Sequence, residues 1–479
     1  MSRPATRSTL SRRVLKLMSL FSGIQGLSIL CSVVKMKLVT LWLGATGVGL
    51  FGIYQSVVDT VATVTDMGLR QSAVRDVANS ATSPSLLARV AAVVRRWSIL
   101  SALLGAVAMA ALALPAGIWF FGSPSGCWGF LLLSTAMFLN ALTGGEQALL
   151  QGSGKLKALA SANLWGTLAG LAMSIPLFRW CGNTGVVLSI VAYALAMAVA
   201  MHAARLRAPR PSPALGLRQI WEQGKGFARL GLCMALATFI TSLAHTIFIG
   251  LLNSLTSTAQ VGLVQAGDTL VVRYIGLIFV AIGMEFYPRV AANSHRTGRL
   301  RVFVNHEITL LLLVLTPLLI LFILLRRPVV TLLYSQDFLP IVPFISWAAL
   351  SSIPKALSWC LAYCIVAKGD GRAYILTEGL DALVSVPLCL YAFTHWGLPG
   401  LGVAYIVWYL VYLLLVAAVC SRRYGLLPSR RAALSTLASF SAATLFLLAM
   451  DHAPLWVTLP LGAAIIIPCL HALRRLLTR

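Results

Sequence analysis

Residues 308–325 read ITLLLLVLTPLLILFILL, an apolar run without a charged side chain. It belongs to a longer apolar segment, 303–325, and a helix needs about 20 such residues to cross the hydrocarbon of a bilayer. Of the 479 residues, 59% are hydrophobic and 11% are charged, whereas a soluble domain carries about 25% charged residues. Because one core cannot enclose so much apolar surface, the composition predicts that lipid solvates much of the chain.

Similar runs recur along the sequence and predict an all-α polytopic membrane protein with about 14 transmembrane helices. The predicted spans are 17–43, 48–68, 89–121, 126–148, 158–178, 184–204, 228–250, 259–287, 303–325, 341–366, 371–393, 398–420, 432–450 and 454–474.

The basic residues indicate the orientation of these spans. The formal net charge is +25, but most lysines and arginines lie in alternate connections between apolar runs. This distribution favours a membrane protein over a nucleic-acid-binding protein. The opposite connections hold only Arg179, Arg326 and Arg327. The positive-inside rule therefore predicts that both termini are cytoplasmic, and we interpret the first run as a retained helix rather than a signal peptide.

Short motifs repeat at offsets of 213 to 217 positions. Residues 48–50 and 261–263 both read VGL, and QGSGK at 151–155 is matched to KGDGR at 368–372. The order and spacing of these matches indicate duplication of a six-helix unit, and an even helix number makes the two copies parallel. The predicted organisation is a basic tail (1–16), an N-lobe (17–204), a cytoplasmic linker (205–227), a C-lobe (228–420) and two additional helices (432–474).

Several motifs resemble a known family. KMKLVTLWLGATGVGLFG at 35–52 and GLRQSAVR at 68–75 resemble the opening of Wzx-type O-antigen translocases. LLQGSGKLK (149–157), AKGDGR (367–372) and WGLPGL (396–401) are similar to loop motifs of the same family. These translocases belong to the multidrug/oligosaccharidyl-lipid/polysaccharide exporter superfamily, and the similarity covers about residues 15–425. The two last helices depart from the twelve-helix pattern that is common in the superfamily.

The resemblance implies two lobes around a central cavity that opens alternately to either side of the membrane. It also implies a substrate of undecaprenyl-pyrophosphate carrying an oligosaccharide, which is moved from the cytoplasmic to the periplasmic leaflet. Implied partners are the lipid-linked substrate, membrane lipid and a polymerase or glycosyltransferase. We expect a monomer that binds no nucleic acid.

Polar side chains within the predicted helices are expected to have a function or a polar partner, because a charge at the centre of a membrane helix costs about 2.5–3.5 kcal/mol. Lys35 and Arg273 are the strongest candidates for binding pyrophosphate, since a cation attracts phosphate strongly in a low-dielectric cavity. The alternative for Arg273 is a structural ion pair, for example with Asp268, and Lys37 is interpreted as lying at the bilayer edge. The candidate substrate-binding residues are Lys35, Arg273, Lys355, Gln25, Gln55, Gln265 and Arg70.

Acidic residues in the same helices are candidates for coupling transport to a proton or sodium ion. Two acids one turn apart, Glu378 and Asp381, are expected to favour proton uptake. The alternatives are an ordinary helix ion pair, for which Asp66 and Arg70 have the spacing, and polar contacts that hold helices together. The candidate coupling residues are Asp59, Asp66, Asp268, Glu378 and Asp381.

The sequence does not indicate ATP hydrolysis, a metal site or a cofactor. The sequence has no phosphate-binding loop of the ATPase type, Cys360 and Cys364 have no His or acid nearby to complete a metal site, and no cofactor is expected. The chain is therefore predicted not to be an enzyme. Two other functions remain open: a drug/cation antiporter of the same superfamily, and a membrane glycosyltransferase or polymerase, for which Arg326, Arg327 and Asp337 are the available outer residues.

Overall fold

A computed structural model describes the backbone of residues 7–66, 69–80, 83–206 and 217–477. Side chains are described from residue 26, except at 67–71, 81–82, 206–234, 284, 287 and 476–477. Within these ranges the chain is helical and contains no strand, which confirms the predicted fold class. The fifteen α-helices are α1 Arg7–Asp66, α2 Leu69–Asn79, α3 Pro84–Phe121, α4 Cys127–Gly152, α5 Leu156–Cys181, α6 Thr184–Leu206, α7 Leu217–Leu255, α8 Thr258–Asp268, α9 Gly276–Ala292, α10 Thr297–Leu333, α11 Val342–Leu350, α12 Ser352–Ala367, α13 Gly371–Tyr424, α14 Arg430–His452 and α15 Leu455–Leu477.

Among the described residues, 11 helices are long and apolar enough to cross a membrane, or 12 when the bent pair 336–350 and 352–367 is one span. The prediction of 14 spans stays a prediction. Two long helices account for the difference, because α1 and α13 each contain two predicted spans and a kink at a glycine. Within the predicted tail 1–16, α1 already begins at Arg7.

The kinks lie at Gly44 (φ 63°, ψ −157°) and Gly397 (φ 62°, ψ −149°). This region of backbone conformation is accessible to glycine and strained for a residue with a Cβ. Gly182, between α5 and α6, has a similar conformation (φ 56°, ψ −132°). Gly182 and Gly397 are 215 positions apart, within the offsets of 213 to 217 that the sequence repeat shows, so the repeat has a counterpart in the backbone.

The connections before α5 and α13 also share one conformation. Gly154 (φ 70°) and Gly369 (φ 72°) are again 215 positions apart. The amide of Lys155 donates to the carbonyl of Leu150 (2.9 Å), and the amide of Asp370 donates to that of Ile365 (3.3 Å). The sequence matched these connections at an offset of 217, and this register was wrong by two residues, because two nearby glycines in each motif allow either alignment.

The chain divides into two compact units, Met1–Ala259 and Gln260–Arg479. The sequence had placed the boundary in the segment 205–227, of which 207–216 lie outside the described residues. The difference concerns α7, which packs against α1 and α3 and is therefore part of the first unit. In contrast to the predicted C-lobe, the second unit begins after α7.

The two additional helices, α14 and α15, pack against α10 in the second unit. The buried guanidinium of Arg326 on α10 donates to Ser346 Oγ on α11 (2.9 Å) and forms an ion pair with Asp451 on α14. A buried arginine without its acid partner is strongly destabilising. Arg326 therefore holds α14 in place. This structural role accounts for the buried arginine without the catalytic role that was considered from the sequence.

Candidate functional site

In the first unit, Lys35 lies between two aromatic rings. Its Nζ atom is 5.0 Å from the centroid of Phe51 and 5.2 Å from that of Tyr193 on α6. In a straight helix Lys35 and Phe51 would be about 24 Å apart, at about 1.5 Å per residue. The kink at Gly44 brings them together. The backbone strain and the lysine site are therefore parts of one arrangement.

The ring of Tyr193 has room because α5 carries a glycine opposite it. A Cβ on Gly170 would lie 2.5 Å from Cδ2 of Tyr193. The hydroxyl of Tyr193 is 3.3 Å from that of Thr167, which orients the ring. Among the described residues no carboxylate forms a salt bridge with Lys35. Two aromatic faces attract its charge, but they do not neutralise it.

The second unit places Lys355 in a similar setting. Its Nζ is 5.6 Å from the centroid of Phe279 on α9 and 5.0 Å from that of Tyr409 on α13. Lys355 also interacts electrostatically with Asp381. The structure thus brings together two residues that the sequence had assigned to different roles, substrate binding and ion coupling.

Three acids of the second unit accept hydrogen bonds from one face of α13. Tyr405 donates to Asp268 (2.6 Å), the indole of Trp408 donates to Asp381 (2.6 Å), and Tyr412 donates to Glu378 (2.7 Å). The three donors were not among the residues predicted from the sequence. Their signal was present, because spacings of three and four residues place Tyr405, Trp408 and Tyr412 on one face of a helix.

Arg273 lies in a π-helical turn, Thr269–Tyr274, which joins α8 to α9. Its side chain is exposed, and it forms no salt bridge with any described residue. The ion pair with Asp268 that was considered from sequence is not formed. The carboxylate of Asp268 is buried and accepts a hydrogen bond from Tyr405 instead.

The remaining predicted residues are divided between the two units. In the first, the amide of Gln55 donates to Asp59 (2.7 Å), so these two residues meet on one face of α1. Asp66 has an interaction partner, but the side chains of Gln25 and Arg70 lie outside the described residues. In the second unit Gln265 is buried, and its Oε1 atom has no hydrogen-bond partner among the described residues. A buried oxygen without a hydrogen bond lowers the stability of the fold by about 1–3 kcal/mol.

A charge cluster near the end of α4 was also missed. Glu146 accepts a hydrogen bond from Arg95 Nε on α3 (3.0 Å) and lies 3.3 Å from Arg205 on α6. Two cations around one half-buried acid join three helices of the first unit. The only sequence signal was a lone acid in an otherwise apolar run.

Metal ligation is not indicated within the described part of the chain, where no group of three His, Cys, Asp or Glu side chains is suited to a metal ion. Cys360 and Cys364 are buried on α12, and the thiol of Cys364 donates to the carbonyl of Cys360 (3.4 Å). Both cysteines pack within the second unit.

The chain is similar to a known protein family and to proteins of two bacteria. The profile of a family described as "Polysaccharide biosynthesis protein" matches residues 42–343. The lipid III flippase of Escherichia coli strain K12 is 25% identical over 396 residues, which cover 80% of this chain and 92% of the relative. The equivalent protein of Shigella flexneri matches to the same extent.

Solved structures show the same fold at low identity. The lipid II flippase MurJ, in an inward closed conformation, superposes with a TM-score of 0.73 at 12% identity and covers 96% of this chain and 100% of its own. An inward-facing multidrug resistance transporter of the MATE family has a TM-score of 0.63 at 15% identity and covers 82% and 95%. The relatives are named as flippases and transporters and not as enzymes, in agreement with the prediction that the chain is not an enzyme.

Proposed function

Because the chain belongs to the polysaccharide biosynthesis protein family, we propose that it is a Wzx-type flippase for a lipid-linked oligosaccharide. The proposed substrate is undecaprenyl-pyrophosphate carrying an O-antigen or related repeat unit. It moves from the cytoplasmic to the periplasmic leaflet of the bacterial inner membrane. Proposed partners are a polymerase and glycosyltransferases, and the chain acts as a monomer with both termini in the cytoplasm.

The observation that carries this proposal is the set of cations without an ion-pair partner. Lys35 has aromatic rings around it and no carboxylate partner among the described side chains, and Arg273 is exposed and forms no salt bridge with those side chains. A membrane protein keeps such charges where they have a functional use. A pyrophosphate offers these cations charge-assisted hydrogen bonds, which are about twice as strong as neutral ones.

In the proposed mechanism, two lobes open a central cavity first to the cytoplasm and then to the periplasm. The charged headgroup enters the cavity, and the polyprenyl tail stays in lipid. Asp268, Glu378 and Asp381 bind the coupling cation, and Asp59 and Asp66 are further candidates. Two phosphate charges gain about 4–5 kcal/mol per 100 mV when they leave an inside-negative cell, at about 2.3 kcal/mol per charge.

The second candidate is a drug/cation antiporter, which is favoured by the three acids of the second unit that α13 binds through aromatic donors. An organic cation would use the same acids and rings. Lys35 and Arg273 oppose this, because positive charges in a low-dielectric cavity repel a cationic drug.

The test is alanine substitution of Lys35 and of Arg273, with surface polysaccharide and drug resistance scored in the same cells. If the chain is a flippase, surface polysaccharide should fall about tenfold or more, which corresponds to a loss of about 1.4 kcal/mol or more of binding free energy. Drug resistance should be unchanged. Arg327→Ala is the matched control, because this exposed arginine lies outside the proposed site. Loss of resistance with normal polysaccharide would establish the antiporter instead.

A further inference from the structure

The span formed by α8 and α9 is not a regular α-helix. Between them lies the π-helical turn Thr269–Tyr274, and the amide of Ile275 donates to the carbonyl of Leu270, five residues earlier (3.4 Å). A π-turn holds one residue more than an α-turn, which amounts to about 100° of rotation and about 1.5 Å of rise. Such turns are rare and occur frequently at functional sites. This one contains Arg273.

Two side-chain hydroxyls bind carbonyls that lie four and three residues before the start of the turn. Thr269 Oγ1 donates to the carbonyl of Gln265 (2.8 Å), and Tyr334 Oη donates to that of Ala266 (3.2 Å). In an α-helix these two carbonyls accept from the amides of residues 269 and 270. Hydroxyls that compete for them weaken the regular pattern at the residue where the π-turn begins.

The hydroxyl of Tyr334 has a fixed location. The side chain is 1% exposed, and its ring stacks on that of Phe338 with centroids 5.2 Å apart. Tyr334 follows the last residue of α10, so a different helix of the second unit determines where this donor meets α8. A donor fixed in this way acts on the backbone of α8 from outside the span.

We infer that Tyr334 is a positioning residue for Arg273. Its hydroxyl, together with that of Thr269, stabilises the π-turn, and the π-turn sets the direction in which the guanidinium of Arg273 extends. Without these donors the segment relaxes towards a regular α-helix, which rotates Arg273 relative to α8. The inference rests on the proposed function, in which Arg273 binds the pyrophosphate of the substrate.

The experiment measures the affinity of the purified full-length protein for inorganic pyrophosphate by calorimetric titration. We expect Arg273→Ala to weaken binding about tenfold or more and Tyr334→Phe to weaken it about three- to tenfold. The double variant should bind no more weakly than Arg273→Ala alone, because Tyr334 acts through Arg273. Tyr54→Phe is the control, since it removes another buried tyrosine hydroxyl from an aromatic cluster in the first unit.

If Tyr334 had only a structural role, Tyr334→Phe would lower the affinity for pyrophosphate by the same factor with Arg273 present and with Arg273→Ala. That additive result overturns the inference. Unchanged affinity in Tyr334→Phe overturns it as well, while the weakened binding of Arg273→Ala leaves the proposed function intact. Unchanged affinity in Arg273→Ala removes Arg273 from the proposed function, and the inference fails with it. If Tyr334→Phe does not accumulate in the membrane, Thr269→Val provides the same comparison, because it removes the second hydroxyl and keeps the shape of the side chain.

Discussion

Lys35 in the first unit and Lys355 in the second have the same aromatic setting and different acidic surroundings. Each lysine lies about 5 to 6 Å from two ring centroids. Of the two, only Lys355 interacts electrostatically with a carboxylate among the described residues, that of Asp381. The first unit therefore has a lysine without a described acidic partner, and the second has a lysine that attracts an acid without forming a salt bridge with it. Under the proposed function, the first lysine binds an anionic ligand and the second belongs to the site of the coupling cation.

The strongest test of this contrast is a comparison of Lys35→Ala with Lys355→Ala. A charge-assisted hydrogen bond is worth about 1.5–3 kcal/mol, so Lys35→Ala should slow transport of the lipid-linked oligosaccharide into proteoliposomes by about 10- to 100-fold. Lys355→Ala should slow it less, because Asp381 already offsets part of the charge. Lys157→Ala, which removes an exposed lysine at the start of α5, is the control. Equal losses in the two units would remove the distinction.

The next test concerns the acids. Asp381 accepts a hydrogen bond from Trp408 beside Lys355, whereas Asp59 on α1 is exposed and bound by Gln55. If the second unit exchanges cations, Asp381→Asn should make transport insensitive to a proton or sodium gradient, while Asp59→Asn should keep the sensitivity. Transport is measured in proteoliposomes with and without each gradient. Gradient dependence that survives in Asp381→Asn would exclude this acid from coupling.

A third test separates backbone strain from function. Alanine at Gly44 or Gly397 must adopt a conformation that costs about 1–3 kcal/mol, so both substitutions should lower the thermal unfolding temperature by several degrees. Gly44→Ala should also reduce transport, because the kink brings Phe51 to Lys35, whereas Gly397→Ala should affect stability chiefly. Gly379→Ala is the control, since this helical glycine has open space around its Cβ position. Equal transport in the two kink variants would show that Lys35 does not depend on Gly44.

The sequence was sufficient for the fold because each span carries its own signal. An apolar run such as 308–325 specifies a membrane helix regardless of its neighbours. The count of 14 stays a prediction, because at Gly44 and at Gly397 two predicted spans follow one another within a single kinked helix. The lobe boundary stays a prediction, because a basic linker marks a division of the chain and does not say which helices α7 packs against.

The site was predicted only in part, because its contacts join different helices. Lys35, Arg273 and Lys355 were identified because a cation in an apolar run is costly wherever it points. Their surroundings were not identified, because Phe51, Tyr193 and Phe279 belong to other helices or follow a kink. The donors on α13 had a visible spacing, but aromatic residues at helical spacing are common in membrane spans. A pairing between helices is not encoded in either helix alone.

The smallest expected effect concerns the two connections that share a backbone conformation. Asp370 precedes α13 and accepts a hydrogen bond from the amide of Ala373 (3.0 Å), whereas Lys155, its counterpart before α5, makes no capping bond. The amide of Ala373 and the side chains of Tyr424 and Arg423 lower the pKa of the Asp370 carboxyl. Because that pKa is lower in the folded than in the unfolded state, the carboxylate stabilises the fold above about pH 4. The stabilisation is lost as the pH falls through the folded-state pKa.

Asp370→Ala should therefore cost about 1 kcal/mol at pH 7, the usual value of a helix cap, and the difference from the unsubstituted protein should shrink as the pH falls below about 4. Lys155→Asp should gain a few tenths to about 1 kcal/mol at pH 7, because it supplies the missing cap. Thermal unfolding of the purified proteins between pH 7 and pH 3 measures both changes. A pH-independent loss in Asp370→Ala would mean that the carboxylate does not cap α13. An unstabilised Lys155→Asp would mean that the two connections share a backbone conformation and not a capping requirement.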